Sequence, residues 1–252
     1  FFMITTNVTS KGNFIVHTKD MKSGWSKPAW VDQGGIDPSL LFDGDKVYFV
    51  STTSDEQGAG IFLCEVNPFT GEKLTESVCI NRGCGGRYPE GPHLYKWFGK
   101  YYLMLAEGGT EYGHMETMQR ADSPYGPYEP CPHNPILSHK EDMREEIYCT
   151  GHADIMEDHN GNWWVLLHNL GRETFLTPVV WTEAGWPVVG NHGLISTVMD
   201  GPLPGGEVQP VNRNFHDNFS DGKFKLQYSF LRNPEMKNYK LYPEEKMLCL
   251  EG

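Results

Sequence analysis

The sequence predicts an all-β chain that folds as a β-propeller. A polar residue, a short apolar strand, a glycine-containing turn and a second strand with an aromatic residue recur in this order three times. The three copies run from Asp37 to Tyr48, from Glu90 to Tyr102 and from His152 to Trp164. Such repeats are typical of stacked or radial architectures, and no segment has a sustained helical period. Radial repetition would direct the three polar residues, called head residues below, toward one axis.

The first strand pair of the chain lacks a head residue. Residues 1–7 match the second strand of the repeat, as seen in residues 47–53 and 101–107. The head residue would lie 11 or 12 positions before Phe2, judged by the three complete copies. That position precedes the sequence, so we expect the first blade to be incomplete.

Further strands alternate with turns between the repeats. Residues 12–18, 60–66 and 114–120 are strand-like and are followed by turn-forming residues. Each blade is therefore predicted to contain four short antiparallel strands, and residues 177–187 continue the last sheet. The Gly- and Pro-rich residues 201–206 predict a linker, which ends a propeller domain at residues 1–206.

Residues 207–252 are expected to continue the linker and to contain the beginning of a second β module, a β-sandwich. The alternating run at residues 225–231 predicts the first strand of this module.

Composition argues against several classes of protein. The net charge of −12 argues against nucleic acid as a partner, since phosphate binding requires excess Lys and Arg. The sequence contains no run of about 18 apolar residues, so it predicts no membrane span. The six cysteines lack metal-ligand spacing and predict free thiols more than a disulfide scaffold.

Two head residues are carboxylic acids. Pro89 and Gly91 flank Glu90 and should hold its carboxyl at a strand entrance, where aromatic enclosure would raise its pKa. The alternative is a solvated Glu before a strand. Asp37 is predicted to occupy the equivalent position one blade earlier, although an isolated Asp-Pro is more often a turn. Two carboxyls in one pocket are typical of acid and base chemistry on glycosidic bonds.

His152 and Arg172 are further candidates. His152 could be a structural hydrogen-bonding residue, or it could organise water or an oxygen-bound cation at the axis. Arg172 could bind sugar hydroxyls or pair with a catalytic carboxylate. The competing interpretation for Arg172 is a surface salt bridge with Glu173.

Seven motifs together resemble glycoside hydrolase family 43, which contains β-xylosidases and α-L-arabinofuranosidases. They lie at residues 35–40, 90–96, 106–110, 123–128, 134–137, 151–153 and 170–174. The resemblance extends to about residue 190. It implies a five-bladed β-propeller whose first blade is incomplete here, followed from about Asn214 by the start of a C-terminal β-sandwich.

The resemblance also implies an inverting mechanism. Glu90 would be the general acid, and Asp37 would modulate its pKa and orient it. His152, Arg172 and Thr110 would lie near the substrate. No cofactor is required, but a structural calcium ion could lie beside the sandwich or near the axis, where His152 is a possible ligand.

The family's general base is an Asp upstream of the residues present, so it is expected to be absent from this chain, which alone should have little activity. The expected enzyme releases xylose or arabinose from xylan- or arabinoxylan-derived oligosaccharides. The main alternative is a noncatalytic carbohydrate-binding propeller that lacks the base, and a weaker one is a protein-interaction propeller. Homo-oligomerisation and the cellular compartment are left open.

Overall fold

Strands form nearly all the regular structure in this computed structural model. It describes residues 1–140, 147–169, 173–202, 214–225, 227–230 and 234–251. Two compact units are present, Phe1–Gly205 and Gly206–Gly252. Within the described ranges the helical structure is one 3-10 turn, Met236–Asn238, so the prediction of an all-β chain is confirmed.

Four antiparallel sheets make up the described part of the first unit, each from strands consecutive in sequence. The first sheet contains β1 (Phe2–Asn7), β2 (Gly12–His17) and β3 (Ala29–Trp30). The second contains β4 (Ile36–Asp43), β5 (Lys46–Asp55), β6 (Gly58–Glu65) and β7 (Val78–Asn81). The third contains β8 (Glu90–Trp97), β9 (Lys100–Glu107), β10 (Met115–Ala121) and β11 (Glu129–Pro130), and β12 (Leu137–Ser138) also pairs with β10. The fourth contains β13 (Gly151–Glu157), β14 (Trp163–His168), β15 (Thr174–Trp181) and β16 (Pro187–Val189).

The sheets are the blades of a propeller. Neighbouring blades contact one another through the strand pairs β1 and β4, β4 and β8, and β8 and β13, and β4, β8 and β13 are called inner strands below. Radial packing of four-stranded meanders is the arrangement that the sequence repeats predict. The described residues therefore confirm a β-propeller and contain four blades.

The core lies between the blades, and strand β5 shows why. Successive side chains of a strand point to opposite faces. Val47 and Phe49 pack in a cluster with Ile15 of the first blade, whereas Tyr48 and Val50 pack with residues of the third blade. Because both faces of the sheet are buried, β5 is a continuous apolar run rather than an alternating one.

A β-bulge occurs at the start of three inner strands. In each, two residues of the inner strand oppose one residue of its partner. The interrupted pairs are Ile36 to Ser39 in β4, Glu90 to His93 in β8 and Gly151 to Asp154 in β13. The first bulged residue has a positive φ in all three blades: 53° at Asp37, 56° at Gly91 and 48° at His152.

The bulges correct one prediction from the sequence. Asp37 is equivalent to Gly91 and His152, whereas Glu90 lies one residue earlier, at the position of Ile36. A Cβ atom added to Gly91 would lie 3.0 Å from Cδ2 of His152. The third blade therefore has glycine at the head position because the His152 ring occupies the space of a side chain.

The second unit contains a hairpin of β17 (Tyr239–Tyr242) and β18 (Met247–Leu250). The strand predicted at residues 225–231 is wrong for residues 225 and 227–230, which form no strand. The amide of Tyr228 donates to the carbonyl of Lys225 and forms a turn. The Tyr228 and Phe230 rings both pack against Phe224, so an alternating pattern here reflects a local aromatic cluster.

Two composition-based predictions can be compared with the structure. All six cysteines are free thiols, as predicted, and three of them are buried. Over the residues that the structure describes, no helix is long and apolar enough to cross a membrane.

Only glycine fits the backbone at position 35, just before the β4 bulge. Gly35 has φ of 86°, and an added Cβ would lie 1.8 Å from the carbonyl oxygen of Thr52. At Gly34 the nearest atom would be 3.9 Å away. We expect Gly35→Ala to lower the melting temperature by roughly 5 °C or more, because clash and strain cost about 2 kcal/mol. Gly34→Ala should change it by less than about 2 °C, and equal effects of the two variants would contradict this account of the bulge.

Candidate active site

The head residues line two cavities. The first, about 460 Å³, is lined by Ile4, Thr5, Thr6, Val8, Ile36, Asp37, Pro38 and His152. The half-buried Asp37 carboxyl and the His152 imidazole are thus brought to the same space, beside the first blade. A carboxylate, an imidazole and hydroxyl groups can bind a polar ligand through several hydrogen bonds.

Glu90 lines the second cavity, also about 460 Å³, with Arg87, Tyr88, Gly108, Gly109, Thr110 and Glu111. The structure therefore brings Glu90 and Thr110 together. Tyr88 is 64% exposed and has φ of 54°, and Arg87 lies 5.6 Å from the centre of its ring. A carboxyl beside an exposed aromatic ring and a hydroxyl is suited to a polar ligand with an apolar face.

One contact connects the walls of the two cavities. The His152 ring, in the first cavity, lies against Gly91, which follows Glu90 directly. His152 also lies 6.0 Å from the His168 ring, which is 5.5 Å from the buried His114 ring. The row of three imidazoles runs from β13 through the end of β14 to the residue before β10.

A hydrogen-bond network below the bulges fixes β8 to β13, and the sequence reasoning missed it. The Tyr95 hydroxyl donates to Asp154 Oδ1 at 2.6 Å and accepts from the Ile155 amide at 3.1 Å. His93 Nδ1 lies 3.7 Å from Asp154 Oδ1. Burial lowers the pKa of His93, and the carboxylates of Asp154 and Asp37 oppose that decrease. His93 and Asp154 occupy equivalent positions after their bulges, so alignment of the repeats by bulge could have found them.

Glu116 supports the β13 bulge from behind. Its side chain is 1% exposed, and Oε1 accepts from the Ala153 amide at 3.1 Å. Burial raises the pKa of Glu116 well above its usual value, although the amides of Ala153 and His152 oppose that increase. No sequence signal marked this residue, because its role depends on a backbone contact with a distant strand.

Comparison with known proteins identifies the family. The model described as "Glycosyl hydrolases family 43" matches residues 1–187. The chain belongs to glycoside hydrolase family 43. The family assignment made from the sequence motifs is thereby confirmed.

Relatives of the family 43 chain carry names of two related activities. "Non-reducing end alpha-L-arabinofuranosidase BoGH43B" of Bacteroides ovatus is 38% identical over 268 residues, which are 100% of this chain and 49% of that protein. "Xylosidase/arabinosidase" of Butyrivibrio fibrisolvens is 37% identical over 279 residues, 97% of this chain and 54% of that protein. The chain thus spans about half the length of the curated relatives it matches.

Solved structures agree with this family 43 assignment. "Bacteroides ovatus Xyloglucan PUL GH43B" has a TM-score of 0.90 and 38% identity, covering 100% of this chain and 52% of that one. The xylan β-1,4-xylosidase from Bacillus halodurans C-125 has a TM-score of 0.88 and 30% identity, covering 100% and 53%.

Two predicted features of the family 43 site, the role of Arg172 and a structural calcium ion, stay predictions. Arg172 lies outside the described residues. Calcium takes about six to eight oxygen ligands, yet across the described ranges no group of three or more His, Cys, Asp or Glu side chains is arranged to hold a metal ion. Backbone carbonyls and water can also supply those oxygens, so a structural calcium ion stays a prediction, and the proposed mechanism does not depend on a metal.

The raised pKa of Glu116 predicts a pH-dependent stability. The Glu116 carboxyl binds its proton more tightly in the folded chain than in the unfolded chain. Glu116 therefore destabilises the folded state as the pH rises above the unfolded pKa of about 4.3. Glu116→Gln keeps an acceptor for the Ala153 amide but does not ionise. We expect the melting temperature of the variant, relative to wild type, to increase from about pH 5 to pH 8.

The control for this measurement is Glu129→Gln, at an exposed side chain on the third blade. If the difference in melting temperature between Glu116→Gln and wild type stays constant with pH, Glu116 does not retain its proton on folding.

Proposed function

We propose that the full-length protein is an exo-acting glycosidase that releases xylose or arabinofuranose from xylan- or arabinoxylan-derived oligosaccharides. The observation that carries the proposal is the arrangement of Asp37, Glu90 and His152 at the starts of three neighbouring inner strands. Membership of family 43 and the relatives named as xylosidases and arabinosidases support it.

In the proposed mechanism, Glu90 is the general acid. Its carboxyl would protonate the glycosidic oxygen as the bond to the leaving sugar breaks. Asp37, on the adjacent inner strand, would act as the pKa modulator, because a neighbouring carboxylate disfavours ionisation of Glu90 and keeps its proton available. The chemistry needs only carboxyl groups and water.

Substrate contacts are proposed for three residues. Thr110 shares the cavity of Glu90 and could donate to or accept from a sugar hydroxyl. His152 shares the cavity of Asp37 and has two ring nitrogens for the same purpose. Arg172 is proposed from its motif alone to bind sugar hydroxyls with its guanidinium.

Inversion also requires a general base, which would activate water on the opposite face of the sugar at about 6.5–9.5 Å from the acid. Strand β1 pairs with β2 as β5 pairs with β6, so the first blade corresponds to the outer three strands of the others. We propose that the full-length protein supplies an inner strand beside β1 that carries the base as an Asp. This strand would complete a five-bladed propeller.

We also propose a two-domain arrangement for the chain. The propeller domain would end near residue 206, and residues 207–252 would contain a linker and the beginning of a β-sandwich. The hairpin of β17 and β18 supports a β module at this place.

The general-acid role predicts a large effect of one substitution. Glu90→Gln in the full-length protein should lower kcat/KM on phenyl β-xyloside and phenyl α-L-arabinofuranoside by about 100-fold or more, because the phenolate would depart without a proton. Steady-state kinetics on both substrates checks this and shows which sugar is preferred.

Glu129→Gln is the matched control for Glu90→Gln, since Glu129 lies at the opposite end of the third blade, beside Arg120. Its kcat/KM should stay within about 2-fold of wild type. Wild-type turnover by Glu90→Gln would remove Glu90 from the mechanism, and sugar binding without turnover by the wild-type protein would favour a carbohydrate-binding role.

A further inference from the structure

The loop that leads into Glu90 is bound to one buried carboxylate. Glu107, at the end of β9, has a fully buried side chain. Its Oε1 accepts from the Cys84 amide at 2.7 Å, and its Oε2 accepts from the Gly86 amide at 2.6 Å. The Thr117 hydroxyl donates to Oε1 at 2.7 Å. Both loop amides thus donate to a single side chain at the end of β9.

The loop sequence is adapted to this contact. A Cβ atom added to Gly86 would lie 2.6 Å from Glu107 Oε2, so any larger residue would push the loop away from the carboxylate. The amide of Gly108, directly after Glu107, donates to the Arg87 carbonyl at 2.6 Å. Residues 84, 86 and 87 are therefore all fixed to the end of β9, three positions before Glu90.

We propose that Glu107 is a positioning residue for the general acid. The idea rests on the proposed function and extends it to a residue that lines neither cavity. An ionised carboxyl only accepts hydrogen bonds, so it suits two converging amide donors. By fixing the loop, Glu107 sets where the chain enters β8, and hence where the Glu90 carboxyl lies in its cavity beside Tyr88 and Thr110.

A purely structural role would predict the same contacts, so the test must report on proton donation. Departure of 2,4-dinitrophenolate needs no acid, whereas departure of phenolate or an alcohol does. A displaced general acid therefore reduces turnover of the poor leaving group selectively. A general loss of folded protein or of sugar binding reduces turnover of both substrates alike.

The decisive variant is Glu107→Gln in the full-length protein. Its amide NH₂ would face one of the two loop amides, and donor would meet donor. We expect kcat/KM on the phenyl glycoside to fall by roughly 10- to 100-fold, while the value on the 2,4-dinitrophenyl glycoside changes by less than about 3-fold. Equal losses on the two substrates would overturn the proposal.

Two further variants keep the test decisive. Thr117→Val removes one hydrogen bond from the same carboxylate but keeps both loop amides, so it should change the two substrates by the same small factor. Gly86→Ala displaces the loop and leaves Glu107 intact, so it should repeat the selective loss if Glu107→Gln folds poorly. A selective loss in Thr117→Val, or none in Gly86→Ala, would contradict the positioning role. Absence of wild-type turnover on either substrate would instead refute the proposed function.

Discussion

The left-handed bulge at the start of the inner strands is the constraint on which the site depends. Non-glycine residues rarely adopt positive φ, and Asp and His are among those that tolerate it best. Asp37 and His152 both do so, at a cost of about 1–2 kcal/mol each. The ladders on both sides of each bulge offset that strain. Because a bulge redirects side chains locally, each blade can present a polar group without disturbing the apolar packing between blades.

The third blade uses the same bulge differently. Gly91 occupies the left-handed position, which removes a side chain and lets the His152 ring approach from the fourth blade. The carboxyl is supplied instead by Glu90, one residue earlier, from a separate cavity. Supporting carboxyls lie behind both positions: Glu107 binds the loop before Glu90, and Glu116 binds the bulge after His152. Buried carboxyls thus bind backbone amides near both Glu90 and His152.

The repeats in the sequence predicted the blades, because strands buried on both faces are apolar runs that recur between glycine-containing turns. They did not predict the true equivalence of Glu90, since a bulge adds a residue and polarity alone suggested alignment with Asp37. Glu107 and Glu116 were missed because their partners, Cys84 and Ala153, lie far away in sequence. The strand predicted at residues 225–231 was wrong because three aromatic rings clustering at a turn produce similar alternation.

In the proposed mechanism, Asp37 on the adjacent inner strand keeps the general acid Glu90 protonated. The most direct measurement is the pH dependence of kcat/KM on a phenyl glycoside for the full-length protein and for Asp37→Asn. Removing the negative charge should lower the pKa of Glu90, so the alkaline limb of the profile should move to lower pH by about one unit. An alkaline limb at the same pH in both proteins would contradict the account.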